Sequence, residues 1–195
     1  MPDQVFSIIY LAGFIVAAIV RVTYTRDQKQ YKIEREKVLP LDVILLVFTA
    51  LGIFFPILYI LLGLFPFADF NMPLPVSIIG VLIFFFALWL FYRSHADLGR
   101  NWTATPQILE GHKLVTSGIY SRIRHPMYGA HILWAIGQAL LVHNWVAGPM
   151  MLIFMVPFYL YRAPIEERLL IEKFGDEYRS YMKHTGRLLP GRRQS

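Results

Sequence analysis

The segment His112–Tyr128, HKLVTSGIYSRIRHPMY, is polar, basic and interrupted by Gly118 and Pro126, whereas the chain on both sides of it is apolar. Three apolar runs precede it, at 5–20, 41–64 and 76–92, and two shorter runs follow it, at 128–142 and 146–161. We predict an all-α membrane helix bundle with about five transmembrane helices, because roughly 20 apolar residues can cross a bilayer as a helix.

The composition supports an integral membrane protein. The chain has 195 residues, of which 56% are hydrophobic and 16% charged, with a net charge of +6. The Lys and Arg residues lie between the apolar runs and not in a patch with interleaved aromatic residues, so they indicate topology and not a nucleic-acid surface. They predict that segments 21–38 and 93–127 and the tail after Arg162 are cytoplasmic, with the amino terminus outside. The absence of cysteine excludes disulfides and thiolate metal sites.

The two runs after the polar segment are separated only by residues 143–145, which predicts an antiparallel helical hairpin. Each run is shorter than a standard span, so the hairpin either crosses the bilayer or re-enters it. Pro164 is suited to the first turn of a helix, and residues 170, 174, 178 and 181 would give that tail helix one apolar face. We expect one membrane domain, with segments 93–127 and 162–195 carrying the chemistry.

Familiar cofactor motifs of soluble enzymes do not occur in the chain: there is no glycine-rich dinucleotide loop, phosphate loop or serine nucleophile elbow, so no Rossmann domain is expected. In the polar segment, His112, Tyr120, His125 and Tyr128 lie among small and aliphatic residues and offer a slot with hydrogen-bond partners for a nucleoside. The alternative is a basic cytoplasmic loop that faces anionic lipid.

Arg162 and Glu166 are four residues apart where the last apolar run ends, and Glu167 adds a second carboxylate. On a helix, the first two side chains would share one face. One interpretation is an exposed interfacial salt bridge of little energetic value. The other is a binding site, because an arginine at the membrane boundary can bind the carboxylate of a lipid-tailed molecule through two hydrogen bonds.

A polar stripe is predicted in the fourth run, where Tyr128, His131 and Gln138 recur at helical spacing. Polar side chains at membrane depth tend to face the bundle interior, and we expect Gln138 to join helices. The histidines have no spacing typical of metal ligands, so no metal is predicted.

From about Asn101 to Pro190 the chain resembles the isoprenylcysteine carboxyl methyltransferase family of membrane methyltransferases. The resemblance rests on ordered motifs: residues 112–120 (HKLVTSGIY), 124–128 (RHPMY), Arg162 with Glu166 and Glu167, 174–178 (FGDEY) and 187–190 (RLLP). The first three runs carry little of this pattern.

The resemblance implies that S-adenosylmethionine binds at the cytoplasmic face and leaves as S-adenosylhomocysteine. It implies that Glu166 meets the amino acid end of the cofactor and that Arg162 meets the carboxylate of a lipid-tailed acceptor, most simply a C-terminal prenylcysteine. The implied cofactor contacts are Gln107, His112, Lys113, Leu114, Val115, Tyr120, His125, Pro126, Met127, Tyr128 and Glu166.

Carboxyl methylation agrees with these residues, because an ionised carboxylate needs positioning and removal of water but no general base. Methylation of an amine headgroup is a variant that Arg162 disfavours by repelling an ammonium. Two other classes are a membrane reductase that uses NADPH, which generally needs more spans, and a non-catalytic protein that binds lipids through its basic loops.

Overall fold

The computed structural model describes residues 2–26 and 32–191; Lys29 of the predicted basic segment 21–38 and the end of the tail, 192–195, lie outside the described residues. Six α-helices and two short β-strands make up the described chain. They are α1 (Pro2–Thr25), β1 (Ile33–Glu36), α2 (Pro40–Leu62), α3 (Leu74–Leu98), β2 (Gln107–Leu109), α4 (Pro126–Leu141), α5 (Met150–Phe174) and α6 (Asp176–His184).

The long helices pack in the order α1, α3, α4, α5 and α2. Glycines allow the close approaches: a Cβ on Gly52 of α2 would lie 2.7 Å from the Cα of Met151 in α5, and one on Gly137 of α4 would lie 3.1 Å from the backbone of Phe84 in α3. Small residues at helix crossings are typical of packing within membranes. The order places α4, which begins with the last residues of the polar segment, between α3 and α5.

Gln138 joins three parts of the bundle, as predicted for its position in the polar stripe. Its side-chain oxygen accepts a hydrogen bond of 2.9 Å from the Tyr10 hydroxyl on α1, and its amide nitrogen donates to the carbonyls of Gly52, Ala147 and Gly148. Because the side chain is fully buried, these bonds satisfy a polar group that would otherwise be costly.

Three described helices are long and apolar enough to cross a membrane. These stretches are Gln4–Thr25, Pro40–Leu62 and Leu74–Leu98, with mean hydropathies of 2.4, 2.7 and 2.6. Helix α4 has 16 residues, which corresponds to about 24 Å and is less than the roughly 30 Å hydrocarbon core. The predicted apolar helix bundle is thus observed.

Two expectations about the last helices are wrong. No new helix begins at Pro164, because α5 runs through Pro157 and Pro164 to Phe174. Helix α5 ends at Gly175, whose φ of +56° suits glycine, and so residues 170–181 are divided between α5 and α6. The packing of α5 on α2 and α4 keeps it helical despite the two missing N–H groups.

The connection between α4 and α5 is also longer than the predicted joint at 143–145, since it extends from residue 142 to 149. Asn144 holds this connection: its side-chain oxygen accepts the N–H groups of Val146 and Ala147, and its amide donates to Asp69 and to the carbonyl of Phe65. Asp69 and Phe65 lie in a loop distant in sequence. The spacing of the apolar runs therefore could not predict the length of this connection.

The all-α prediction omitted a small antiparallel sheet, in which β1 pairs with β2. Strand β1 is exposed along its length, so it has no hydrophobic alternation by which the sequence could reveal it. The sheet joins the end of the α1–α2 connection to the segment that precedes His112.

Candidate functional site

A single cavity gathers every site residue that the sequence predicted. Its wall includes Gln107, His112, Lys113, Leu114, Val115, Tyr120, His125, Pro126, Met127, Tyr128, Arg162 and Glu166. These residues come from β2, the segment 110–125, the first turn of α4 and the polar half of α5. Residues separated by more than 50 positions therefore meet in one place.

The cavity also has an apolar arm. It is lined by Leu46, Thr49, Ala50 and Ile53 of α2 and by Met155 and Phe158 of α5. The α2 residues of this arm belong to the candidate span Pro40–Leu62, whereas the polar segment lines another part of the cavity. Arg162, one turn after Phe158, stands where the apolar arm meets the polar end, with its guanidinium carbon 5.2 Å from the centre of the Phe158 ring.

The turn before α4 is shaped by Gly118 and Asp97. Gly118 has φ +60°, and a Cβ at this position would lie 2.3 Å from Oδ2 of Asp97, so glycine is required by conformation and by space. The Asp97 carboxylate accepts the N–H of Ile119 at 2.8 Å and a hydrogen bond from Arg93. This anchoring places Tyr120 in the cavity wall.

Tyr120 is a fixed, neutral phenol. Its hydroxyl donates to the carbonyl of Ser94 at 3.2 Å, and its own carbonyl accepts a hydrogen bond of 2.6 Å from Tyr181 on α6. Burial raises the pKa of Tyr120 well above its usual value of 10, so the phenol stays protonated at neutral pH. This hydrogen bond joins α6 to the polar segment.

The segment 122–125 pairs with the end of the chain. The N–H groups of Arg124 and His125 donate to the carbonyls of Gly186 and Arg187, at 2.8 and 2.9 Å. Pro126 then begins α4, where a missing N–H costs no helical hydrogen bond. The RHPMY and RLLP motifs thus form one structural unit.

Glu167 of α5 binds both the RHPMY and the RLLP motifs. Its carboxylate accepts hydrogen bonds from Arg124 at 3.2 Å, from Arg187 at 3.1 Å and from Nε2 of His125 at 3.3 Å. Only 4% of the side chain is exposed. Burial by itself would raise the pKa of Glu167, but the hydrogen bonds and charges of His125 and Arg187 outweigh it and lower this pKa to about 2.

Glu166, the next residue, faces the cavity instead. Its Oε1 accepts 2.7 Å from the Tyr128 hydroxyl and 2.9 Å from Nε of Arg162, and its Oε2 lies 3.8 Å from Nδ1 of His125. A quarter of the Glu166 side chain is exposed, against 3% of Arg162. Arg162 also donates 2.6 Å to the carbonyl of Ala104, so both side chains are held in defined positions.

Unlike Arg162 and Glu166, His112 has an unsatisfied polar atom: its Nδ1 is buried and has no hydrogen-bond partner among the described residues. Burial first, and the charge of Lys173 second, lower the pKa of His112 below 6.5, so its ring is neutral at neutral pH. An unsatisfied buried nitrogen in a cavity wall is a natural contact for a ligand. The neighbouring backbone is fixed, because the Lys113 N–H donates to Asn101 at 3.0 Å.

Gln107 lines the cavity from β2 but has a protein partner, since its amide donates 3.1 Å to Glu36 of β1. Sequence reasoning missed several wall residues, among them Asn101 and Trp102 before β2 and Arg21 on α1. In the sequence, Arg21 indicates only topology, and no local pattern marks it as a cavity residue. Within residues 2–26 and 32–191, no group of three or more His, Asp or Glu side chains is placed to hold a metal ion.

Comparison with known proteins gives one consistent family. The model of the isoprenylcysteine carboxyl methyltransferase family matches residues 78–172, from α3 through the polar end of α5. The solved structure of a eukaryotic intramembrane Ras methyltransferase, an isoprenylcysteine carboxyl methyltransferase, matches 93% of this chain and 62% of its own chain, with a TM-score of 0.56 and 25% identity. The family resemblance is confirmed.

Curated relatives agree with this resemblance. The protein-S-isoprenylcysteine O-methyltransferase of Schizosaccharomyces pombe is 37% identical over 79 residues, which are 40% of this chain and 34% of the relative. The human protein of that name is 32% identical over 117 residues, 59% of this chain and 41% of the relative. The chain thus spans about a third to three fifths of the length of the relatives it matches. Together, the apolar helices and the family resemblance support an integral membrane protein.

Proposed function

We propose that this protein is a membrane methyltransferase that transfers a methyl group from S-adenosylmethionine to the carboxylate of a lipid-tailed acceptor, most simply a C-terminal prenylcysteine. The observation that carries the proposal is the position of Arg162 and Glu166 between the apolar arm and the polar end of one cavity. One end suits a lipid chain and the other suits a polar nucleoside. The relatives named above are isoprenylcysteine O-methyltransferases, and this supports the same acceptor class here.

The polar end fits the cofactor by its own chemistry. The free Nδ1 of His112 offers a hydrogen bond to the nucleoside, beside Leu114 and Val115, which provide apolar contact. Glu166 presents a carboxylate oxygen to the cavity and suits the ammonium of the amino acid end. Gln107, Lys113, Tyr120, His125, Pro126, Met127 and Tyr128 complete the proposed cofactor contacts.

When bound, S-adenosylmethionine supplies an electrophilic methyl group, which the carboxylate oxygen takes in one displacement while the C–S bond breaks and S-adenosylhomocysteine is left. The protein needs to orient the carboxylate and exclude water, and no residue has to move a proton. Arg162 is buried and suited to donate to the acceptor carboxylate from the end of the apolar arm. Glu166 and Ala104 hold its guanidinium in place.

We propose that the chain crosses the membrane five times, through α1, α2 and α3 and through the two helices of the hairpin α4–α5. The amino terminus is then outside and the carboxyl terminus cytoplasmic. The positive residues at 93–127 and after Arg162 support a cytoplasmic cofactor end. The apolar half of α5, 150–161, corresponds to about 18 Å, so in this proposal the bilayer is locally thinned around it and Arg162 and Glu166 follow at the interface.

Purified protein tests the function directly. We expect S-adenosylhomocysteine to bind in calorimetry and a farnesylated cysteine analogue to become a base-labile methyl ester. The matching analogue with a carboxamide is the control, and it should accept no methyl group. Absence of both binding and ester formation would exclude the proposal, whereas methylation of an amine headgroup in its place would correct the acceptor class.

A further inference from the structure

Arg21, near the end of α1, belongs to the cavity wall although it lies far from the family motifs. Its guanidinium carbon is 4.4 Å from the centre of the Trp102 ring and 5.1 Å from that of Phe91. Stacking on rings fixes the plane of a guanidinium and leaves the N–H groups at its edge free to donate. The side chain is therefore positioned before any ligand arrives.

The hydrogen-bond partner of Arg21 does not neutralise it. Nη2 of Arg21 lies 3.4 Å from Nε2 of His131, while Nδ1 of His131 lies 2.7 Å from the carbonyl of Met127. Because arginine only donates and a carbonyl only accepts, Nδ1 carries the proton and Nε2 accepts. His131 is thus a neutral acceptor that occupies one of the five N–H donors of Arg21.

Charge compensation distinguishes Arg21 from the other arginines of the cavity wall. Arg162 pairs with Glu166 at 2.9 Å, and Arg124 pairs with Glu167 at 3.2 Å. Among the ion pairs of residues 2–26 and 32–191, no carboxylate lies within 4.0 Å of Arg21. Arg21 lies near the end of the candidate span Gln4–Thr25. A half-buried cation there is costly without an anion, and ionisable residues in such spans usually mark functional sites.

The position of Arg21 indicates which anion it receives. Tyr128 and His131 are three residues apart and share one face of α4; the first contacts Glu166, and the second contacts Arg21. The Arg162–Glu166 pair, through Glu166, and Arg21 therefore contact neighbouring turns on the same face of α4, from α5 and from α1. His131, which Arg21 contacts, is farther along α4 from the polar segment than Tyr128 is, and under the proposed function a lipid-tailed acceptor would enter from that side.

We propose that Arg21 binds the carboxylate of the methyl acceptor together with Arg162 and supplies the net positive charge that the neutralised Arg162–Glu166 pair lacks. This inference rests on the proposed function. A carboxylate that leaves water for the cavity needs an opposite charge, and its two oxygens can accept hydrogen bonds from two guanidinium groups. Arg21 is then a substrate-binding residue that discriminates an acid from its neutral ester product.

The test compares Arg21→Met, which keeps the length and apolar packing of the side chain, with Arg26→Met, which removes an exposed arginine directly after the same helix. Three quantities are measured: the affinity for S-adenosylhomocysteine, kcat/KM for a farnesylated cysteine analogue, and inhibition by the matching acid and carboxamide. For Arg21→Met we expect kcat/KM to fall by about tenfold or more and acid to bind no better than carboxamide, with cofactor affinity unchanged within about twofold. Arg26→Met should match the wild type.

An equal loss of cofactor affinity would overturn the proposal, because Arg21 would then bind the methyl donor. Unchanged discrimination between acid and carboxamide would overturn it as well, since Arg21 would be structural. If Arg21→Met does not fold, Arg21→Lys and the wild type decide: lysine should keep the preference for the acid at weaker affinity, and the acid alone should protect wild-type Arg21 from phenylglyoxal, as read by mass spectrometry. A wild type that binds no S-adenosylhomocysteine refutes the proposed function itself.

Discussion

Glu166 and Glu167 are neighbours in the sequence and on one helix, yet they occupy opposite environments. Glu167 is 4% exposed and receives hydrogen bonds from Arg124, His125 and Arg187. A quarter of Glu166 is exposed, and among the described residues Arg162 and Tyr128 donate to it. Adjacent helical residues point about 100° apart, so one carboxylate fastens the motifs together and the other faces the cavity. The comparison shows that an acidic pair in a motif can divide into a structural residue and a ligand-binding residue.

The largest effect is expected from Glu167→Gln. This change leaves Arg124, which is 8% exposed, without its carboxylate, and breaking a buried pair from one side costs about 3–5 kcal/mol. We expect a large drop in the thermal midpoint in detergent, with cofactor affinity of the remaining folded protein close to that of the wild type. Glu172→Gln on the exposed face of α5 is the control. Unchanged stability with lost cofactor binding would reverse the roles of the two carboxylates.

In the wild type, acid should remove the contribution of Glu167 to the free energy of unfolding. Its pKa is about 2 in the folded protein, against 4.5 in the absence of the fold. A lowered carboxyl pKa contributes stability that is complete above the unfolded pKa and is lost as pH falls towards the folded one. The free energy of unfolding should thus decrease by about 3 kcal/mol between pH 5 and pH 2. The Glu167→Gln variant should have a flatter profile in this window, and an identical profile would contradict the assignment.

For Glu166→Gln we expect a functional loss instead. The amide keeps the size of the side chain but removes the charge proposed to meet the cofactor's ammonium, and loss of such a charge-assisted contact costs about 1.5–3 kcal/mol, or roughly ten- to hundredfold in affinity. S-adenosylhomocysteine affinity in calorimetry is the measurement, with the thermal midpoint as the control for folding. Wild-type affinity would show that Glu166 only orients Arg162.

The sequence predicted the parts of this site that depend on local order. The family resemblance supplied ten of the predicted site residues through HKLV, RHPMY and Arg162 with Glu166, and Gln107 and Tyr120 besides; all twelve lie in one cavity wall. The apolar runs likewise predicted the helices, although α1 and α3 continue past the last apolar residue of each run.

Contacts between distant segments could not be predicted in this way. The separate roles of Glu166 and Glu167 depend on Tyr128 and Arg124, about 40 residues away, and the pairing of β1 with β2 depends on a strand with no hydrophobic pattern. Helix α5 continues through Pro164 because its neighbours hold it, which outweighs the local preference for a helix start. Arg21 joins the site only through packing of α1 on α3 and α4.

Tyr128→Phe is the finest test of the contrast between the two carboxylates, since it removes one hydrogen bond of 2.7 Å to Glu166 and leaves Glu167 untouched. The ring would still pack on Phe158, so stability should change little. Cofactor affinity should fall by about three- to tenfold, because Glu166 would keep only Arg162 as a close donor. Tyr159→Phe, whose ring lies beside Tyr128 and outside the cavity wall, is the matched control. If both variants lose the same affinity, the aromatic cluster and not the Glu166 contact sets binding, and the carboxylate facing the cavity does not depend on its tyrosine.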